Sequence, residues 1–122
     1  MVTRNLSRRQ VDLEIITEWV APESRVLDLG CGRGVLLQNL RDKKSIYGVG
    51  VDTDPIKIKG CITRGVNAYQ GDIEGILNEF PDNNFDVVIC SRTVQELTNP
   101  ADIIFEALRV GRALAIGFVN HG

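Results

Sequence analysis

The chain has 122 residues, 43% hydrophobic and 25% charged, the size and balance of a single folded domain over 1–122. A net charge of −2 argues against a nucleic-acid binder that works by neutralising phosphates. The longest apolar run, near 113–119, is far too short to cross a bilayer, so no membrane partner is expected.

The N-terminus is polar and arginine-rich, without the apolar core of a signal peptide. Arg4, Arg8 and Arg9 read as a solvated helix face. Ser7 with Gln10 has the spacing of a capping box, and Leu6 with Val11 that of a hydrophobic staple. A helix is predicted to run from there to about Val20, with Val11, Ile15, Ile16 and Trp19 on its core face. Pro22 ends it.

Strands and helices then alternate. Strands are predicted at 25–29, 46–51, 68–70, 85–90 and 113–118, with helices at 33–42, 56–64 and 100–110. Asp82-Asn83-Asn84 after Pro81 marks a turn. Asn99 and Pro100 read as helix cap and first helical residue, and Gly111 as the stop. Val87-Val88-Ile89 and Ala113-Leu114-Ala115-Ile116 are apolar throughout, which suits strands buried on both faces of a parallel sheet. Right-handed crossovers give a doubly wound, mostly parallel α/β fold.

The most informative stretch is Val26-Leu27-Asp28-Leu29-Gly30-Cys31-Gly32-Arg33-Gly34. An apolar strand breaks into glycines at every second position before a helical pattern begins, the layout of a nucleotide-type site. A dinucleotide fingerprint needs its third glycine where Val35 stands. Asp28 would also repel a pyrophosphate, whereas a carboxylate suits a ligand with an amino group and a positive sulfonium. A NAD-dependent oxidoreductase is therefore disfavoured.

Asp52 stands 20 residues after Gly32, at the end of the second strand, where a ribose would lie. Its carboxylate can accept from both ribose hydroxyls. Its alternative role, capping the next helix, is better suited to Asp54 before Pro55. Gly71-Asp72-Ile73 follows the third strand and Ser91 the fourth.

With its acidic-x-Gly-x-Gly-x-Gly pattern, the chain resembles the class I S-adenosylmethionine (SAM)-dependent methyltransferases. That resemblance implies a Rossmann-like fold with SAM as cofactor and S-adenosylhomocysteine as product. It assigns binding to Asp28, Gly30, Cys31, Gly32, Gly34, Asp52, Thr53, Gly71, Asp72, Ile73 and Ser91. Asp72 would read the adenine amino group and the following N–H the ring. Ser91 and Arg92 would face the methionine part. Thr53 departs from the larger apolar residue many members place against adenine. The family's Asn/Asp-Pro-Pro-Tyr signature is absent, which argues against methylation of base amines or glutamine. Ser91, Arg92, Gln95 and Glu96 are candidates to meet an acceptor, and no residue is assigned as a catalytic base.

The segments "ITRGVNAYQGDI" and "NPADIIFEALRVGRALAIGF" resemble the MetW-type methionine-biosynthesis proteins more specifically. That resemblance covers nearly all of the chain after Val11 and implies a role beside homoserine O-acyltransferase. Two readings follow: a SAM-dependent methyltransferase with unknown acceptor, or a non-catalytic SAM-sensing or accessory subunit of that acyltransferase. The superfamily sheet continues beyond its fifth strand with an antiparallel pair. No residues for those last two strands are visible, so the fifth strand is expected to form an apolar edge open to a second copy or a partner. His121 is read as a terminal residue. Cys31, Cys61 and Cys90 are odd in number and fit no zinc spacing. They read as reduced cytoplasmic thiols, with Cys31 and Cys90 expected at strand ends on one sheet edge.

Overall fold

A computed structural model describes residues 8–91 and 96–117. The predicted cap at Ser7 and staple at Leu6, together with Arg92, Gln95, Phe118 and His121, lie outside these residues. The elements run α1 (Arg8–Trp19), β1 (Arg25–Leu29), α2 (Val35–Lys44), β2 (Tyr47–Asp52), α3 (Pro55–Thr63), β3 (Asn67–Gln70), α4 (Ile73–Leu77), β4 (Phe85–Cys90), α5 (Pro100–Val110) and β5 (Gly111–Ile116). The sheet order is β3-β2-β1-β4-β5, with every neighbouring pair parallel. The chain winds outward from β1 in one direction and then returns to build the other side, so the switch point lies between β1 and β4.

The apolar strand runs have the two-sided burial their composition implies. Val26, Val87 and Ile89 join the core that contains α2 residues Leu36, Leu37 and Leu40. Leu27, Leu29, Val88 and Cys90 join the opposite core with α5 residues Ile103, Ala107 and Val110. One element was missed: α4, whose five residues are too few to show a helical period. The predicted core face of α1 also needs correction. Ile16 and Val20 are fully buried, but Ile15 and Trp19 are about half exposed. The stripe is rotated toward Ile16 and Val20, where α1 meets α2, and Asn39 Nδ2 donates to Thr17 Oγ1 across that contact at 3.0 Å.

Local chemistry sets the element ends that matter for the site. Gly34 takes φ +85° and caps α2, a conformation that costs a side-chain-bearing residue. Asp54 caps α3 by accepting from the Ile56 N–H at 2.9 Å, with Pro55 in the first turn, as expected. Gly111 closes α5 and opens β5 at once.

Candidate functional site at the carboxyl edge of the sheet

The sequence-assigned residues converge on the carboxyl ends of β1, β2, β3 and β4. Asp28 and Leu29 pair with Gly50 and Val51 on one side and with Ile89 and Cys90 on the other. The glycine loop therefore emerges at the switch point, with Ser91 just beyond β4. Asp52 ends β2 opposite Gln70, the last residue of β3. Gly71 donates its N–H to the Asp52 carbonyl at 3.0 Å, which brings Asp72 and Ile73 alongside. Thr53, Asp72 and Ile73 line one cavity of about 210 Å³, walled also by Leu97 and Ile103. Those two apolar walls were not predicted. Ile103 carries only the ordinary periodicity of α5, which does not separate a cavity wall from a core residue.

The loop is held almost entirely by the protein. Gly30, Gly32 and Gly34 take φ values of +82°, +57° and +85°, which folds it back on β2. Gly30 and Cys31 both donate to the Val51 carbonyl, at 2.7 and 2.9 Å, and Gly34 donates to the Cys31 carbonyl at 3.1 Å. Gly32 donates to Asp52 Oδ2 at 2.9 Å. Four loop N–H groups are thus committed internally, unlike a loop whose N–H groups converge on a phosphate. Asp28 is fully buried beneath the glycine loop.

Asp52 has a role that the sequence reading did not include. Besides accepting from Gly32, its Oδ1 accepts from the Asp54 N–H at 2.9 Å. The carboxylate therefore ties the glycine loop to the start of α3, and its remaining lone pairs are oriented before a ligand arrives. Ser91 is tied in as well. Its N–H donates to the Leu29 carbonyl at 3.3 Å and its Oγ to the Gly30 carbonyl at 3.3 Å. With its proton so placed, Ser91 offers lone pairs to a donor such as an ammonium. A Cβ at Gly30 would fall 2.6 Å from Ser91 Oγ.

Cys31, just after β1, and Cys90, the last residue of β4, both stand at the carboxyl edge as expected, but on opposite faces of the sheet. Cys90 belongs to the α5 side of the sheet and Cys31 to the α2 side. The partner of Cys31 is Cys61 from α3, with sulfurs 3.8 Å apart. Cys61 Sγ donates to the Gly32 carbonyl at 3.0 Å, so Gly32 is held through both its N–H and its carbonyl. Burial raises the pKa of both thiols. The carboxylates of Asp28 and Asp52 add to the rise, and the bond with Cys31 offsets part of it for Cys61. Gly50 leaves the room that the Cys31 side chain fills: a Cβ there would lie 2.6 Å from Cys31 Sγ.

Glu96 is exposed and follows the undescribed 92–95 segment. Among the described residues no cluster of His, Cys, Asp and Glu is arranged to hold a metal, and no helix is long and apolar enough to cross a membrane.

The chain is similar in fold and sequence to known proteins. An Archaeoglobus fulgidus SAM-dependent methyltransferase superposes with a TM-score of 0.72 at 28% identity, covering 86% of this chain and 48% of that one. A bifunctional methionine biosynthesis protein MetXA/MetW from Rhodopirellula baltica is 36% identical over 118 residues, covering 90% of this chain and 19% of that one. A ubiquinone biosynthesis O-methyltransferase from Hahella chejuensis is 29% identical over 82% of this chain and 44% of that one. The chain thus spans less than half the length of each. The family model "Methionine biosynthesis protein MetW" matches residues 10–122. With the fold of the SAM-dependent methyltransferases and a match over nearly its whole length, the chain belongs to the MetW family of methionine biosynthesis proteins.

Proposed function

We propose that the chain binds SAM along the carboxyl edge of β1 and β2 and acts as a SAM-dependent methyltransferase. The observation that carries this reading is the internal commitment of the loop N–H groups of Gly30, Cys31, Gly32 and Gly34 above a buried carboxylate at Asp28. Such a site disfavours a pyrophosphate and favours a ligand with cationic ends.

In this reading Asp28 and the lone pairs of Ser91 face the amino and sulfonium end. Gly30, Cys31, Gly32 and Gly34 form the floor. Asp52 accepts from the ribose hydroxyls. Thr53, Gly71, Asp72 and Ile73 surround the adenine, with Leu97 and Ile103 as the apolar walls. SAM supplies a methyl group on a positive sulfur. The chain's own contribution is to hold that carbon in line with an acceptor and to keep water away. A base is needed only where the acceptor must lose its proton early.

Methyl transfer takes precedence because similar proteins are named methyltransferases. The MetXA/MetW relative carries both parts in one chain, which supports a partner in methionine biosynthesis. We take homoserine O-acyltransferase as that partner, in the cytoplasm, where the three free thiols would stay reduced. The edge of β5, which pairs only with β4 among the described strands, is the proposed contact for it or for a second copy. A sharp monomer by light scattering at high concentration, together with no association with the acyltransferase, would count against that contact.

Calorimetric titration tests the cofactor assignment. SAM and S-adenosylhomocysteine should bind the chain, and Asp52→Ala should weaken binding at least ~10-fold, the scale of one charge-assisted hydrogen bond. A folded chain that binds neither would overturn the assignment.

A further inference from the structure

The thiol pair beneath the glycine loop has no role in binding or methyl transfer as described above. Both sulfurs are fully buried, face each other at 3.8 Å, and come from segments 30 residues apart. Two glycines make room for them. A Cβ on Gly34 would lie 3.1 Å from Cys61 Sγ, and one on Gly50 would lie 2.6 Å from Cys31 Sγ. The pair also bears on the loop, because the Cys61 thiol donates to the Gly32 carbonyl at 3.0 Å. Cys90, in the opposite core, takes no part.

We propose that Cys31 and Cys61 are a modification site: they join in a reversible disulfide that pulls the cofactor loop out of its binding shape. The consequence for the cofactor rests on the SAM reading above; the bond itself does not. A hydroperoxide is the oxidant. One thiol gives up its proton, its thiolate attacks the peroxide oxygen, the O–O bond breaks, a sulfenic acid forms and, for hydrogen peroxide, the departing hydroxide takes up that proton and leaves as water. The second thiol then attacks that sulfur, the S–S bond forms and a second water leaves. The two sulfurs together give up two electrons and the peroxide is reduced by two. A dithiol reductant reverses the change.

The bond alters the loop in two ways. The sulfurs must close from 3.8 Å to about 2.05 Å, drawing α3 and the loop together. Oxidised Cys61 also has no S–H left to give the Gly32 carbonyl. Burial and the nearby carboxylates keep thiolate scarce while the loop is closed, so oxidation proceeds through loop opening. A ligand lying over the loop slows it.

The full chain is treated with hydrogen peroxide, with and without SAM, and mapped by non-reducing peptide mass spectrometry. SAM is then titrated into reduced, oxidised and re-reduced samples. The expected result is a Cys31–Cys61 cross-linked peptide that forms more slowly with SAM present. Affinity should be weakened ~10-fold in the oxidised chain and restored by dithiothreitol. Cys61→Ser, which keeps a donor for Gly32 but cannot form the bond, should bind SAM and lose the peroxide response. No cross-link, a cross-link through Cys90, or an unchanged affinity in the cross-linked chain overturns the proposal. A reduced chain that binds no SAM sinks the cofactor reading and the proposed consequence together, while the peptide map still reports on the bond. A reduced chain that binds SAM but forms no bond sinks this proposal alone.

Discussion

The two ends of the sheet differ in a way that separates cavity size from function. The larger hollow, about 510 Å³, lies at the amino edge, where Arg25, Tyr47, Asn67 and Phe85 begin their strands. It is an open surface: Tyr47 is 68% and Tyr69 56% exposed. Its arginines are engaged in the fold, Arg25 with Asp86 at 3.3 Å and Arg41 with the Gly65 carbonyl at 3.0 Å. The carboxyl edge offers only about 210 Å³ beside Thr53 and Asp72, yet it holds a buried carboxylate, a pinned loop and a thiol pair. Preorganised polar groups at the switch point mark the site better than volume does.

Substitutions at the two ends should separate them, and the largest effect belongs to the loop. Gly50→Ala puts a methyl group into Cys31 and should destabilise the chain by about 1–3 kcal/mol while abolishing SAM binding. Urea unfolding with titration checks both. Gly75→Ala, in α4, is a contrast in packing and not in place, since a Cβ there meets nothing within 4 Å. It should stabilise by about 0.5–1 kcal/mol and leave SAM affinity unchanged.

The thiol pair predicts a pH dependence. Both thiols have raised pKa values in the fold, so the native state keeps protons that the unfolded state sheds above about 8.5. Stability should therefore fall as pH rises past that point, and less steeply in Cys31→Ala/Cys61→Ala. Urea midpoints across pH 7 to 10 read this directly, and equal slopes would contradict it.

The smallest effect should come from the amino edge. The Arg25 side chain holds Asp86 below the ordinary carboxylate range. A depressed carboxylate stabilises above its unfolded pKa, and that contribution is lost as pH falls through its folded value. The pair is part-exposed, so Asp86→Asn should cost no more than about 1 kcal/mol at neutral pH and almost nothing in acid. SAM affinity should not change. A large loss of binding would blur the distinction between the two edges.

The legible parts of the fold were those with a strong local period or a special residue. The buried strands, Asp54 with Pro55, and the glycine loop all declare themselves in sequence. So did the convergence of Asp28, Asp52, Asp72 and Ser91, because the strand order of a doubly wound sheet dictates it. The short α4 and the rotation of α1 toward Ile16 were hidden, since five residues carry no period and Trp19 is equally apolar whichever way it faces. The Cys31–Cys61 contact was hidden too. It depends on how α3 packs over the loop, and glycine gaps at positions 34 and 50 have no signature until the neighbours are known.

The central claim, that the carboxyl edge is the cofactor site, is tested most directly by following backbone amide resonances as SAM is added. The account predicts shifts at Gly30 to Gly34, Asp52 to Asp54, Asp72 and Ile73, with Tyr47, Gly48 and Asn67 unmoved. Shifts confined to the amino edge, or none at saturating SAM, would contradict it.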